Sequence, residues 1–531
     1  MRTAPGRQER HLAVFLILVA LGLHVALIAA GLERLSNDDA ARVLMALELT
    51  PANALDPWIW PPLHRLLLGL ALDLHADVVW VPRLVSVALA LLLLIALLLL
   101  ARRVSDDRRV LLATGLLALV APHRLLLGSV PLADTLMLLL LVLAAERVLG
   151  WLREGRAAML LAGCALAGLA TAVRYEAWFV ALCLGVMLAW RWWRGGLGVG
   201  ALVAAGVLLS AFPLFWIGNS LAWYGSLDNL AITAQQFRAI TGDEAARQAL
   251  LLNPLGPLLW RELAWNPAAA LGALALLALA RRGPALRAFG LAFFLPLPIL
   301  ALTMLASGSA PLAASWRLVA TWILLALPFG ALALVRLADL LAARLLAPGR
   351  AVLALALLPA LALPALRDVR LARAAMFNWE TISWRHDTAA GRAAVAELAR
   401  FGGGRVVVDS LDNLDFLDVM VGSGAPELFV TSADAPAPDV ALHVPMAEHL
   451  RDSGEEELVA RYLADRFALR EGGDVAALAQ QDIRVALIRD EAAQAALEAS
   501  PLAERVAGWP DWTLYRLHPE ALPEAPADTQ R

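Results

Sequence analysis

Between residues 12 and 366 the chain is built from apolar runs long enough to cross a bilayer, and that leaves few folds open. A transmembrane helix needs about 20 consecutive apolar residues. In lipid every backbone N–H and C=O must be paired within the protein, so only helices or closed barrels span. The runs are continuous, whereas a barrel strand would alternate apolar and polar residues. Candidate spans fall at 12–32, 79–101, 109–121, 132–150, 157–173, 176–192, 196–217, 265–281, 287–306, 315–336 and 350–366. The expected fold is a polytopic α-helical membrane protein of about 11 transmembrane helices. Composition agrees: 60% of residues are hydrophobic and 17% charged, against about 45–50% and about 25% in soluble domains. The short basic N-terminus precedes the first run without a small-residue cleavage site, so that run reads as a retained span.

Arginine orients the bundle. Lysine is absent, so every positive side chain other than histidine is arginine. Arg2, Arg7 and Arg10 precede the first span. Arg102, Arg103, Arg108 and Arg109 lie between the second and third, and Arg147, Arg153 and Arg156 between the fourth and fifth. Arg191 and Arg194 follow the sixth, Arg281, Arg282 and Arg287 the eighth, and Arg336, Arg344 and Arg350 the tenth. If the spans alternate, all of these share one side, which the positive-inside bias makes the cytoplasm. An odd number of spans then places the C-terminal part outside. A composition rich in Ala, Leu and Arg points to a bacterial genome, hence to the cytoplasmic (inner) membrane with a periplasmic C-terminal domain.

The opposite side collects isolated ionisable groups. It holds 33–78 with Asp38, Asp39 and His64, and 122–131 with His123, leading to Asp134. It also holds Arg174-Tyr175-Glu176, then 218–264 with Asn219, Tyr224 and Asp228, and 307–317 with Trp316 and Arg317. Charges at span ends are costly and mark function by default. An adjacent acid pair also repels itself unless something uses it. Plainer readings stand beside these. Asp38-Asp39 could cap a helix at 40–50, and Asp134 could be the N-cap of the fourth span. Arg174 and Glu176 could be an internal ion pair, and Arg317 could snorkel to headgroups. His64 and His123 could be interfacial polar residues, and Trp58 and Trp60 belt residues.

From about Arg367 the apolar runs break up. Residues 405–409, 439–444, 483–488 and 512–517 read as strands, and 446–469 and 491–499 as helices. This predicts an extracytoplasmic α/β domain over 367–517 with a disordered tail, 518–531, after a transmembrane catalytic domain over 1–366. Gly402-Gly403-Gly404 precedes a strand and so reads as a turn, not a phosphate loop. The net charge of −3 supplies no basic field for nucleic acid. Cys164 and Cys183 lie in apolar runs and read as buried structural residues.

These features in this order resemble the GT-C superfamily of membrane glycosyltransferases, nearest to its protein O-mannosyltransferase and lipid A aminoarabinose transferase branch. The resemblance rests on Asp38-Asp39 after the first span, on Trp60-Pro61-Pro62-Leu63-His64, and on Asp134 in the next outer loop. It rests also on Arg174-Tyr175-Glu176-Ala177-Trp178, on Trp216-Ile217-Gly218-Asn219 with Tyr224-Gly225, and on Trp316-Arg317-Leu318 through Pro328. Where some relatives carry an arginine three residues after the first acid, this chain has Ala41, with Arg42 next. The resemblance implies transfer of a sugar from a polyprenyl-phosphate donor to a lipid, glycan or protein acceptor at the outer face of the bilayer. In that reading Asp38 is the base and Asp39 orients it. His64, His123, Asp134, Arg174, Glu176, Asn219 and Arg317 contact substrate, with Arg174 and Arg317 as phosphate ligands. A divalent cation is compatible with the family, but the outer carboxylates are too few to assign ligands. A multi-span lipid or polysaccharide transporter or flippase is the competing class. It would need polar or broken helices at mid-membrane, in paired repeats. A non-catalytic scaffold would explain the topology but not the acids.

The topology is tested by cysteine accessibility in intact cells. Ser105→Cys should be protected from an impermeant maleimide and Ser410→Cys labelled; labelling of Ser105→Cys from outside contradicts the assignment.

Overall fold

The computed structural model describes residues 7–35, 37–57, 60–224, 227, 263, 266–306, 317–345, 348–349, 352–354, 357–362, 383–384, 388–409, 415–431 and 482–518. The expectations for Trp58, Asp228, Trp316, 439–444, 446–469 and the tail beyond 518 lie outside these residues. In chain order the elements are α1 (Arg7–Ala29), β1 (Leu32–Arg34), α2 (Asn37–Leu47), α3 (Leu63–Leu74), α4 (Trp80–Val104), α5 (Arg108–Leu119), α6 (Pro122–Leu125) and α7 (Ala133–Glu154). There follow α8 (Ala157–Thr171), α9 (Glu176–Trp193), α10 (Val199–Tyr224), α11 (Pro267–Arg282), α12 (Pro284–Phe293), α13 (Pro296–Ala306) and α14 (Ala320–Leu345). The C-terminal part adds β2 (Ser383–Trp384), α15 (Ala389–Leu398), β3 (Arg405–Val408), α16 (Asp415–Ser423), β4 (Phe429–Thr431), β5 (Ile483–Ile488), α17 (Glu491–Ala499), β6 (Ala503–Gly508) and β7 (Thr513–Leu517).

The chain divides into two units: Met1–Ala30, Leu49–Ala71 and Arg83–Met376, and Gly31–Glu48, Leu72–Pro82 and Phe377–Arg531. The first is an all-helical bundle. Among the described residues five helices, α1, α4, α7, α10 and α14, are long and apolar enough to cross a membrane. A sixth candidate is the pair formed by α5 and the segment Pro122–Ser129, bent by 69°. The remaining apolar helices are shorter, such as Ala157–Thr171 and Pro267–Arg281. At about 1.5 Å rise per residue, 15 residues reach only about 22 Å, so eleven full-length spans are not what the described helices provide. Pro328 sits inside α14 without ending it.

Local chemistry fixes the helix ends. Asp107 caps α5 by accepting from the Arg109 N–H at 2.8 Å. Gly155 closes α7 with φ 72°, the left-handed conformation a glycine adopts without cost. At the α5–α6 bend, Pro122 starts the new helix and the last carbonyls of α5 lose their helical donors. Arg124, fully buried, replaces them. Its Nε donates to the Ala118 carbonyl at 2.7 Å and its Nη2 to Leu119 at 3.3 Å. Its Nη1 lies 3.2 Å from His24 Nε2. A guanidinium only donates, so His24 Nε2 accepts and its proton sits on Nδ1. That nitrogen lies 2.8 Å from Ser129 Oγ, which in turn donates to the Leu125 carbonyl at 2.8 Å. The bend is thus closed by a buried chain in which each polar group has a partner.

Packing explains the glycines that matter. α11 runs along α14 at a distance only small residues permit. A Cβ on Gly330 would stand 2.0 Å from the Ala268 carbonyl oxygen, and one on Gly272 2.1 Å from that of Ala326. Small residues that let backbones approach are how membrane helices associate without a hydrophobic drive. Phe289, Phe293 and Phe329 fill the neighbouring core, with ring centroids 5.2 and 5.9 Å from Phe289.

The second unit is α/β. Its five strands lie in the order β4-β3-β5-β7-β6. β3 is parallel to β4 and β5, and β7 is antiparallel to β5 and β6. Val407, Ile483, Ala486, Ile488, Leu497, Tyr515 and Leu517 form the core. Gly402, Gly403 and Gly404 all have positive φ, at 74°, 154° and 107°, and form the turn into β3. The N-terminal segment also belongs here: β1 pairs antiparallel with β2, Leu32 opposite Trp384 and Arg34 opposite Ser383.

Gly330→Ala should lower stability by about 1–3 kcal/mol, the usual cost of overpacking, read as a drop in Tm in detergent. Gly206→Ala, where an added Cβ meets nothing within 4 Å, should leave Tm unchanged or slightly higher. Equal Tm values for the two variants would contradict the packing described.

Candidate active site

The charged candidates from the sequence fall into two groupings, one in each unit. In the first unit, Asp134 lies in the first turn of α7, whose N-cap is Leu132, not Asp134. A carboxylate is favoured there by the helix dipole, but its oxygens are used on arginine. Asp134 Oδ2 accepts from Arg174 Nη1 and from Arg317 Nη2, each at 2.8 Å. Oδ1 lies 3.3 Å from Arg317 Nε. Arg174, in the turn between α8 and α9, also grips Glu176, with Nε at 3.0 and 3.1 Å and Nη2 at 2.5 Å from its oxygens. Asp134 is 1% exposed and Arg317 6%. Burial works against the charge on Arg174, but Asp134 and Glu176 outweigh it and raise its pKa, while the like charge of Arg317 pulls the other way. Asp134 therefore holds two guanidiniums together that would otherwise repel. Arg317 is not a snorkelling residue, and Arg174 with Glu176 is indeed an ion pair, but inside a larger network.

The same turn gathers other residues from the sequence analysis. The Leu63 N–H, at the start of α3, donates to the Ala172 carbonyl at 2.9 Å, which brings the helix carrying His64 to the Arg174 turn. His64 is buried. Trp216 Nε1 donates to the Tyr175 hydroxyl at 3.0 Å, tying α10 to that turn. Asn219, one turn further along α10, gives its amide to the Leu55 carbonyl at 2.7 Å. The loop it holds is fastened also by Arg65, which donates to the Asn53 and Ala54 carbonyls at 2.7 and 3.0 Å. His123 is buried on α6, beside Arg124. Asp134, Arg174, Glu176 and Arg317 are thus bonded to one another, whereas Asn219 and His123 occupy places of their own. The sequence reading passed over Arg65 and Arg124, and named Tyr175 and Trp216 only as parts of motifs.

In the second unit, Asp38 and Asp39 lie in the first turn of α2. Asp39 is 2% exposed and Asp38 half-buried. Asp39 Oδ2 accepts from the Leu35 N–H at 3.0 Å and Oδ1 from the Ala40 N–H at 2.8 Å. Burial pushes the Asp39 carboxyl up to about 7; Arg34 and the two N–H groups oppose that shift, and Asp38 adds to it. Arg34, also buried, is paired with Asp418 of α16. Glu33 is joined to Thr388 and lies 3.6 Å from Arg392. Both Asp39 oxygens already accept backbone hydrogen bonds. Among the described residues no group of three or more His, Cys, Asp or Glu is placed to hold a metal ion. This donor set does not fit a divalent cation.

The fold has solved counterparts. The chain is similar to ArnT from Cupriavidus metallidurans bound to undecaprenyl phosphate, with 16% identity, a TM-score of 0.56, and coverage of 95% of this chain and 97% of that one. Similarity to the same protein in the apo state is alike: 14% identity, TM-score 0.56, and coverage of 97% and 99%. An oligosaccharyltransferase from Archaeoglobus fulgidus in complex with zinc and sulfate aligns at 14% identity and TM-score 0.48, over 78% of this chain and 61% of that one. No protein-family model and no curated protein matches the sequence. At these identities the likeness is one of fold alone: a mostly helical membrane fold like that of ArnT, with a small C-terminal sheet.

Asp134→Asn should be strongly destabilising. Removing one partner from a buried ionic group costs about 3–5 kcal/mol, because two guanidiniums would be left against a single carboxylate. Glu176→Gln should cost less, since Glu176 is 17% exposed and touches only one of the arginines in this network. Thermal unfolding in detergent compares the two; a smaller loss for Asp134→Asn would contradict its bridging role.

Proposed function

We propose that the protein is an inverting GT-C-type glycosyltransferase of the bacterial inner membrane. It moves a sugar from a polyprenyl-phosphate donor to a lipid, glycan or protein acceptor on the periplasmic side. The observation that carries this reading is the pair of arginines, Arg317 buried and Arg174 half-buried, braced by Asp134. A guanidinium fork matches phosphate oxygens bidentately, and two forks held side by side suit the charge that grows on a departing lipid phosphate. The shared fold with a protein solved with undecaprenyl phosphate supports the same donor class.

The chemistry then runs as a single displacement. Asp38, the more exposed acid, takes the proton from the acceptor hydroxyl as its oxygen attacks the anomeric carbon. Asp39, anchored by two backbone N–H groups, orients Asp38 and shares its proton. The bond from the anomeric carbon to the phosphate oxygen breaks with inversion, and the electron pair leaves on the polyprenyl phosphate. Arg174 and Arg317 stabilise that charge. His64, His123 and Asn219 are assigned to substrate contacts. Arginine in place of lysine matters, because an ammonium is a point charge and cannot make the forked contact.

Asp38→Asn keeps the shape and the first-turn position on α2, and should lower turnover by about 10²–10⁴-fold, the usual contribution of a positioned proton acceptor. Near-normal turnover would return the pair to a structural role. Purified enzyme offered polyprenyl-phosphate sugar and nucleotide sugar in parallel should use only the first. Arg174→Lys and Arg317→Lys should weaken donor use with charge retained. Turnover with a nucleotide sugar alone, with no lipid carrier present, would refute the donor class.

A further inference from the structure

The acid pair sits on a segment built into the C-terminal unit. Asp38 and Asp39 open α2, which follows directly from β1, and β1 is hydrogen-bonded to β2 of the C-terminal part. α2 packs on α16, whose described charged group is Asp418. Arg34, the last residue of β1, is paired with that Asp418, and the two side chains are only 7% and 5% exposed. The next residue, Leu35, gives its backbone N–H to Asp39 Oδ2 at 3.0 Å. One short run therefore carries both the cation that meets Asp418 and the donor that fixes Asp39. The other charged groups around Asp39 are Asp38 and Arg42 on its own helix, the latter buried, and Glu33 on β1, which is engaged by Thr388 and Arg392.

We propose that Asp418 is a positioning residue of the C-terminal unit which, through Arg34, sets how readily Asp39, the neighbour of Asp38, holds a proton. The proposal rests on the reading of that pair as the proton-accepting group. A buried guanidinium favours the ionised form of a nearby carboxylate, and a second carboxylate on the same guanidinium weakens that effect. With Asp418 in place, the charge of Arg34 is divided, and Asp39 retains its proton closer to neutrality. The Asp39 carboxyl is raised by burial above all, and Arg34 is the largest influence opposing that rise. A proton acceptor works best when it titrates near the working pH. A domain that adjusts the pair's charge could thus tune turnover without touching substrate.

The two sides of the pair give opposite signs. Asp418→Asn frees the full charge of Arg34, so the acids should ionise at lower pH, by about one pH unit. Arg34→Gln removes that charge, so they should ionise at higher pH. The double variant should follow Arg34→Gln, because Asp418 acts through Arg34. Asp418→Glu keeps the charge and should restore the wild-type midpoint. The readout is an infrared titration of the purified full-length protein in detergent, following the protonated-carboxyl band that Asp39→Asn abolishes. Opposite displacements in the two single variants support the proposal; displacements of the same sign, or none, overturn it. If Asp418→Asn does not fold, Arg34→Gln alone decides, and a midpoint that fails to rise overturns the proposal. The pH dependence of turnover is recorded alongside. The carboxylate is the working form, so turnover rises with pH through the midpoint, and its acid limb should move with the band. A band that moves while the limb stays fixed leaves the Arg34–Asp418 effect standing and rejects the catalytic reading of the acids instead.

Discussion

Asp134 holds together a grouping that electrostatics alone would push apart. Two arginines from distant parts of the chain, one after α8 and one before α14, meet on its two oxygens. A guanidinium withdrawn from water is costly without an anion, and the pair repels itself. The single carboxylate at the start of α7, with Glu176 beside it, makes the grouping nearly neutral in formal charge and therefore tolerable. The turn that carries Arg174 then serves as a fixed point to which α3 attaches through Leu63 and α10 through Trp216. Bundle geometry and site electrostatics are in this respect one problem with one solution.

The parts of this architecture that were legible in the sequence are those encoded over short range. Apolar runs gave the long helices α1, α4, α7, α10 and α14 and the shorter α5, α8, α9 and α11, and strand patterns gave β3, β5 and β7. Asp134, Arg174, Glu176 and Arg317 stood out because each is an ion at a span end. That Asp134 grips Arg317 across 183 positions is invisible to any local pattern. The bend between α5 and α6 was also hidden. Residues 109–121 and 122–131 read as a span and a loop, although Pro122 marked the break. Attention fell on His123 when its neighbour Arg124 does the capping, since an arginine close to apolar runs looks like a loop charge. The described helices do not confirm the count of 11 for a related reason. Hydropathy reports how apolar a run is, but whether a run of 15 residues crosses the bilayer depends on what surrounds it.

Arg34 and Asp418 were not legible at all. Arg34 follows a leucine and a glutamate in a three-residue strand whose partner lies near the other end of the chain. Asp418 reads as an ordinary helix acid. Their importance comes from mutual burial, which only the tertiary fold defines. The acid pair they support was the first feature the sequence offered, and its supporting residues were the last.

The pairing of β1 with β2 has a consequence for biogenesis. Strand β1 is made early, yet its partner is made roughly 350 residues later, about 20–70 s of synthesis at about 5–20 residues per second. Throughout that interval the acid-bearing segment has neither its sheet partner nor the α16 surface that holds Arg34. The segment can take its final form only after the helices of the bundle have been synthesised. A chain halted before residue 383 would carry both acids, but without the scaffold that orders them, so an incompletely translated product could occupy the membrane without a formed acid pair.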